Sequence, residues 1–477
     1  MRKTKIIATI GPSTRSLEAL EELIAAGCNV IRINMSHSSQ EEADAVIQDI
    51  RTISDEVAIL IDTKGPEIRT TVVSSPVTLK EGAEVLVRAE QAETTAEVIH
   101  VTYRDLPQVL EVGTKVLIND GQISLNVEAR EEGQLRCRVL RGGVITSKKG
   151  VNIPGVKLPM PFVSAQDESD IRFAARHNAD FLAASFVGDA KDVAQIREIF
   201  RQEGAKTVII SKVESQYAVD NLDDIIRASD GLMVARGDLG VEIPLERVPV
   251  VQKRMIDACR ARGRTIIVAT EMLESMIQNS RPTRAETSDV ANAIFEGADA
   301  VMLSGETSVG RFPFDAVRMM GRIAEIAEEE VARRAQVPPT GEVGGEITEL
   351  ICKSAWFAAQ ELHLAAIVIP TSTGRTARRM SRFRPKAPIL ATTPDMDTAR
   401  RLALSYGVYA LPARHYGRME NMVRRSCQVM IEAGRLKSED LVAVAAGVPV
   451  GRSGTTNLLS IQHVAALMGR VGPDEEA

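Results

Sequence analysis

The sequence lacks any apolar stretch long enough for a signal peptide or a membrane span, and its amino terminus enters a strand pattern at once. Cytoplasmic residence, with no membrane partner, is the expectation. Cysteine is scarce: Cys28, Cys137, Cys259, Cys352 and Cys427 are odd in number, widely spaced and form no C-x-x-C pair. That argues against a disulfide-stapled fold and fits a reducing compartment, each thiol reading as a small buried hydrophobe. Positive charge is not in surplus either. A formal net charge of −6 leaves no basic field for nucleic acid or acidic lipid. There is no G-x-x-x-x-G-K-[ST] loop and no dinucleotide fingerprint, so any nucleotide must be held another way.

What is present is a regular rhythm. Hydrophobic residues make up 44% and charged residues 26%, as in ordinary globular proteins, and 477 residues point to roughly two to four domains. Eight short apolar runs, at 5–10, 29–35, 57–63, 180–186, 207–213, 231–235, 265–270 and 299–304, read as buried strands. Intervening stretches such as 17–26, 41–50, 189–203, 249–262 and 289–296 repeat apolar residues at three and four, so helices alternate with strands. Eight such units predict a closed parallel (β/α)8 TIM barrel.

The rhythm breaks twice. From 67 to 161 the chain is alternating and β-rich, with turn signals at Glu81–Gly82, Asp120–Gly121 and Gly142–Gly143, which predicts a β-rich lid inserted at the barrel rim. Prolines and glycines over 337–345 then mark a linker to a third, α/β domain with apolar runs at 365–370, 387–392, 408–411 and 441–446. The expected domains are a barrel over 1–66 and 162–337, a lid over 67–161 and an α/β domain over 338–477.

Nearly every barrel run ends in polar residues that packing does not require, and a closed barrel gathers those ends at one rim. Arg32, Lys64, Lys212 and Arg236 supply positive charge there, and Glu214 and Asp238 supply paired hard-oxygen ligands. Two carboxylates beside cations suit a divalent ion such as Mg2+ that shares its shell with substrate. Asn34, Ser36, Asp62 and Thr63 offer neutral oxygens around one carboxylate, which suits a monovalent ion. Such a set stabilises phosphoryl oxygens in transfer. Plainer readings stand beside it: Lys212 and Glu214 as a buried salt bridge, His37 as a cap or solvated side chain, Thr270 and Ser304 as helix N-caps.

The strings TKIIATIGPST (4–14), NVIRINMSHSS (29–39), IDTKGPEIRTT (61–71), TSKKGVNIPG (146–155), IISKVES (209–215), MVARGDLGVEIP (233–244), TEMLESM with RPTRAE (270–286) and DVANAIFEGADAVMLSGETSVGRFP (289–313) closely resemble the pyruvate kinase family. The likeness runs in order along essentially the whole chain. It implies phosphoryl transfer from phosphoenolpyruvate to ADP, giving pyruvate and ATP, in a homotetramer whose third domain carries effector control. It further implies that Lys212 stabilises the group in transfer, Arg32 grips the phosphate, and Glu214 and Asp238 hold Mg2+ or Mn2+. Thr270, Ser304 and Glu306 would shape the proton path, and backbone amides of Arg236, Gly237 and Asp238 would bind the substrate carboxylate.

Asn34, Ser36, Asp62 and Thr63 match the family's potassium ligands. Glu67 matches the branch that needs potassium, since members that dispense with it carry lysine there. His37, Arg69, Asp120 and Lys148, with Asn34, are the matching ADP contacts. Thr371, Ser372, Thr373, Gly374, Arg375 and Thr376 resemble an effector phosphate loop, with Arg452 in the segment that would cover it, and a sugar phosphate or AMP is the expected ligand. The C-terminal extension of some bacterial members is expected to be absent.

Four positions depart from the family pattern. Glu271 stands where glutamine is common, Gln166 where lysine is usual, Gly188 where arginine often follows, and Tyr217 is unusual after the Lys212 motif. A carboxylate beside Thr270 is expected to raise a neighbouring pKa or to pair with a cation. Two other functions compete: a metal-dependent aldolase acting on pyruvate, and a metabolite sensor that keeps the barrel as scaffold. The first leaves Lys148 and the potassium set unexplained, and the second leaves buried charge without a use.

Overall fold

The computed structural model describes residues 1–333, 346–414, 417–450 and 456–468. The expected linker at 337–345 and Arg452 lie outside these residues. The strands Lys5–Thr9, Val30–Asn34, Ala58–Asp62, Phe181–Ala184, Val208–Val213, Gly231–Ala235, Thr265–Ala269 and Ala300–Leu303 close into one parallel barrel, the first pairing with both the second and the last. They are numbered one to eight below. Their mostly apolar sequences follow from burial on both faces. Alternate residues serve two cores: Ile7, Leu60, Phe181, Ile210, Met233 and Ile267 fill the barrel, whereas Ile6, Ile59, Leu182, Ile209, Leu232 and Ile266 pack outward under the helices.

The helices begin where short polar side chains can take up free amides. Capping boxes open Gln40–Ile53 at Ser39, Ala165–Arg176 at Ser164, Ala190–Glu203 at Asp189 and Arg284–Glu296 at Thr283. Every barrel strand is shorter than its apolar run except the sixth, and Arg32, Asn34, Asp62 and Lys212 are paired within the ladder close to the C-terminal ends of their strands.

Between strands three and four lies the expected β-rich unit. Seven strands form a mixed sheet whose one parallel pair is Glu84–Arg88 with Val98–His100, and a two-stranded ribbon sits beside it. A single turn of helix, Leu106–Val109, interrupts it. Asp120 and Gly121 both adopt the left-handed conformation their turn needs. Gly142 does not; it is small because a Cβ there would stand 2.4 Å from the Leu79 carbonyl oxygen.

The third unit is a five-stranded sheet in the order Val408–Pro412, Ile389–Thr393, Ala366–Pro370, Leu441–Gly447, Thr456–His463. The last strand is antiparallel and was not anticipated from the sequence, because Leu458, Leu459 and Ile461 do not keep to one face. This unit docks on the N-terminal end of the barrel, opposite the polar rim. Arg384 donates to Asp299 Oδ1 (2.7 Å) and Arg400 to Asp180 Oδ1 (3.0 Å). Among the described residues no helix is long and apolar enough to cross a membrane.

Candidate active site

Strand five carries Lys212 to the rim, where its buried Nζ donates to Ser185 Oγ (2.8 Å) and Asp62 Oδ1 (3.2 Å) and stands 3.0 Å from Glu214 Oε1. Arg32 reaches the other Asp62 oxygen through Nε at 2.6 Å and steadies itself on Thr9 Oγ1 at 2.9 Å. One carboxylate thus bridges two cations. Burial alone would raise the Asp62 pKa, but Arg32 and Lys212 outweigh it and hold the group below the usual range. Burial would likewise lower the Lys212 pKa, yet Asp62 and then Glu214 hold it above the ordinary lysine value, so the amine is charged.

Glu214 and Asp238 behave differently. Burial pushes both carboxyls up, and each is raised further by neighbouring carboxylates, Asp238 acting on Glu214 and Glu67 on Asp238. Phe186 donates its amide to Glu214 Oε2 at 2.6 Å, made possible by its left-handed φ of 55°. Glu214 Oε1 is fully buried, and no hydrogen bond of good geometry reaches it. Two buried carboxylates of raised pKa that border one cavity are a fit for a divalent cation, although Lys212 stands 3.0 Å from Glu214 Oε1.

A cavity of about 140 Å³ collects Arg32, Asn34, Ser36, His37, Asp62, Thr63, Glu67, Lys212, Glu214 and Asp238. The expected potassium residues therefore share one small space with the expected divalent ligands. Their only carboxylate, Asp62, arrives already paired with two cations, which suits a weakly held monovalent ion. Above it opens a cleft of about 650 Å³ between barrel and lid, lined by His37, Arg69, Asp120, Lys148 and Asp238. Arg69 pairs with Glu67 at 2.8 Å and donates to the Lys148 carbonyl at 3.0 Å, joining the first lid crossing to the Lys148 turn of the lid. Gly65 makes this first crossing possible, since a Cβ would stand 2.9 Å from Ser185 Cβ.

Several expectations change. Arg236 follows strand six at the rim but does not line the small cavity: its guanidinium holds both Asp289 oxygens at 2.8 and 2.7 Å and the Thr270 carbonyl at 2.7 Å. The Gly237 amide, expected to meet a substrate carboxylate, donates to Thr270 Oγ1 at 2.9 Å. Thr270 is no helix cap; its hydroxyl donates to the Ala269 carbonyl and its φ is 69°. Ser304 stands at the N-cap of a one-turn helix without a side-chain capping bond. Glu306 is wholly buried and accepts the Leu273 and Ser304 amides at 3.0 and 2.7 Å. Glu271 is exposed and adds, after burial and Glu306, to the raised pKa of Glu274. Gln166 is exposed and bonds Asp170 along its own helix, away from the cavity.

Sequence reasoning missed Ser185. Its hydroxyl accepts from Lys212 and donates to the Thr63 carbonyl at 2.7 Å. It follows strand four as the other rim residues follow theirs, which was the available signal. Asn152 and Glu242, bonded at 3.2 Å across lid and barrel, and Lys149 also line the cleft without having been anticipated.

The closed barrel with a rim of paired cations and pushed-up carboxylates beneath a β-rich lid defines the class of TIM-barrel proteins with a charged cavity at the C-terminal ends of the strands. The family models described as "Pyruvate kinase, barrel domain" and "Pyruvate kinase, alpha/beta domain" match residues 1–317 and 349–462. Pyruvate kinase of Geobacillus stearothermophilus is 46% identical over 98% of this chain and 81% of its own length. The pyruvate kinases of Staphylococcus haemolyticus (44%; 97% and 81%) and Bacillus licheniformis (43%; 98% and 82%) are comparably similar. The chain belongs to the pyruvate kinase family, and it is a phosphotransferase.

Proposed function

We propose that this enzyme transfers the phosphoryl group of phosphoenolpyruvate to ADP, giving pyruvate and ATP, the last step of glycolysis. The observation that carries the reading is the charged Lys212 amine, 3.0 Å from Glu214 Oε1 and 3.2 Å from Asp62 Oδ1, in the cavity that Arg32 and Asp238 also line. Mg2+ or Mn2+ held by Glu214 and Asp238 would supply the charge that steadies the enolate and phosphoryl oxygens. Lys212 and Arg32 present fixed positive charge to the group in transfer, in a site that needs no reorganisation. Thr270 Oγ1, oriented by Gly237 and Ala269, would hold the proton destined for the enolate carbon. Ser304 and Glu306 keep the neighbouring loops in place. The lid excludes water while His37, Arg69, Asp120 and Lys148, with Asn34, hold ADP. K+ would sit among Asn34, Ser36, Asp62 and Thr63.

The reading extends to the third domain. Thr371 Oγ1 accepts the Gly374 amide at 3.1 Å, Gly374 is left-handed, and Ser372, Thr373 and the exposed Arg375 and half-buried Thr376 follow at a helix start. A sugar phosphate or AMP would bind this loop as effector; Arg452, its other expected contact, lies outside the described residues. A cytoplasmic homotetramer with domains at 1–66 and 162–337, 67–161 and 338–477 completes the proposal.

A coupled assay with Mg2+ and K+ is expected to detect ATP formed from phosphoenolpyruvate and ADP, faster when the right phosphorylated metabolite is added. Lys212→Met should lower turnover about a hundredfold or more, since one aimed donor is commonly worth ~3 kcal/mol. Absence of ATP in the wild type would favour the aldolase reading, and an unchanged rate in the variant would remove Lys212 from the mechanism.

A further inference from the structure

Two of the four departures from the family pattern turn out to be in contact. Tyr217, just beyond strand five, lays its ring against Gly188, just beyond strand four; a Cβ on Gly188 would stand 3.0 Å from Tyr217 Cδ1. Over that ring lies Lys157, on the segment by which the lid returns to the barrel, with Nζ 4.1 Å from the ring centroid. Lys157 Nζ also donates to the Tyr217 hydroxyl at 2.9 Å and to Asp189 Oδ2 at 3.1 Å, and the hydroxyl donates to the same Asp189 oxygen at 3.3 Å. Asp189 is itself fixed, because its other oxygen caps the helix Ala190–Glu203 through the Lys191 and Asp192 amides.

We infer that Lys157, Tyr217 and Asp189 form a clasp that sets the position of the lid over the nucleotide part of the cleft, and that Gly188 is small in order to seat it. This rests on the reading of the cleft as the ADP site. The clasp lies in the wall of the cleft: Lys157, Gly188 and Tyr217 line the large cleft, and none of them borders the small cavity around Lys212. It is therefore a positioning device and touches no reacting atom. Lys157 acts on the lid's return segment, while Asp120 and Lys148 act on nucleotide from the same lid, so loosening the first misplaces the second.

The size of the effect follows from exposure. The Lys157 side chain is 55% exposed, so its ion pair alone is weak, and the ring contact and shared hydroxyl supply the rest. Loss of the clasp should reduce the population of the seated lid severalfold, and the apparent affinity for ADP falls by the same factor. Phosphoenolpyruvate, held by rim residues of the barrel, should be spared.

The test uses the full chain with Lys157→Met, Tyr217→Phe and Gly188→Ala. The first two remove the cation and the hydroxyl while keeping bulk, and the third pushes on the ring. The expected result is a KM for ADP raised about threefold to tenfold in each, with KM for phosphoenolpyruvate within about twofold of wild type. Lys157→Arg should restore the ADP value. Amide hydrogen exchange across 153–163 should quicken in the same variants. Equal changes for both substrates would mean a merely structural role and would overturn the clasp, as would an unchanged ADP KM with unchanged exchange. If the wild type makes no ATP, the functional reading falls, and the exchange measurement alone decides whether the clasp exists.

Discussion

Asp62 is the residue on which the rim turns. A buried carboxylate is costly unless compensated, and here Arg32 takes one oxygen while Lys212 and Ser185 share the other. Both cations are thereby held in place with their charge directed at the cavity before any ligand arrives. Glu67 borders the same cavity and pairs with Arg69. Exchanging it as Glu67→Lys should supply the positive charge otherwise brought by K+, so the variant's turnover should depend weakly on added K+. A steep rise with K+, measured as initial rate in Na+ and K+ buffers at equal ionic strength, would contradict that role. At this scale the sequence was informative because function placed charged types where packing would have chosen apolar ones. Ser185 escaped notice because serine beyond a strand has several ordinary uses, and Arg236 misled because its partner Asp289 lies on another element.

Elements meet at this rim through backbone amides held by side chains. Glu306 joins the loop after strand seven, at Leu273, to the turn after strand eight, at Ser304, and it has no exposure to the cavity. Glu306→Gln keeps the shape but leaves only one acceptor oxygen for two buried amides. It should cost about 1–3 kcal/mol of stability, seen in urea unfolding. Turnover should fall with no displacement of its pH profile, whereas a direct proton relay through Glu306 would displace it. Helix and strand positions were legible in the periodicity to within a few residues. The antiparallel edge strand Thr456–His463 was not, because Leu458, Leu459 and Ile461 fall on both of its faces and give no strict alternation.

Across the whole molecule the third domain is bolted to the barrel end remote from the active rim by buried charge. Lys5 of strand one is almost fully buried, donates to the Val408 carbonyl of the third domain and lies over the Tyr409 ring at 4.4 Å. Burial, followed by the nearby Arg2, lowers its pKa to about 7. Below that pH the amine is charged in both folded and unfolded chains. Between about 7 and the ordinary lysine value of about 10.4, the unfolded chain binds the additional proton, so this residue makes stability rise with pH across that window. Lys5→Met should flatten the corresponding part of a plot of Tm against pH. An identical slope in the two proteins would show that Lys5 does not titrate in the folded state.

The amino-acid sequence by itself determined the alternation of strands and helices, the inserted β-rich unit and the residue types crowded at strand ends, because periodicity and misplaced polarity are local properties of a chain. Only the tertiary structure decided which of those groups face one another. Strand closure put Lys212 between Asp62 and Glu214, turned Arg236 toward Asp289 and laid Tyr217 on Gly188. Such pairings depend on side-chain direction and distance between residues far apart in the chain, which no local pattern records.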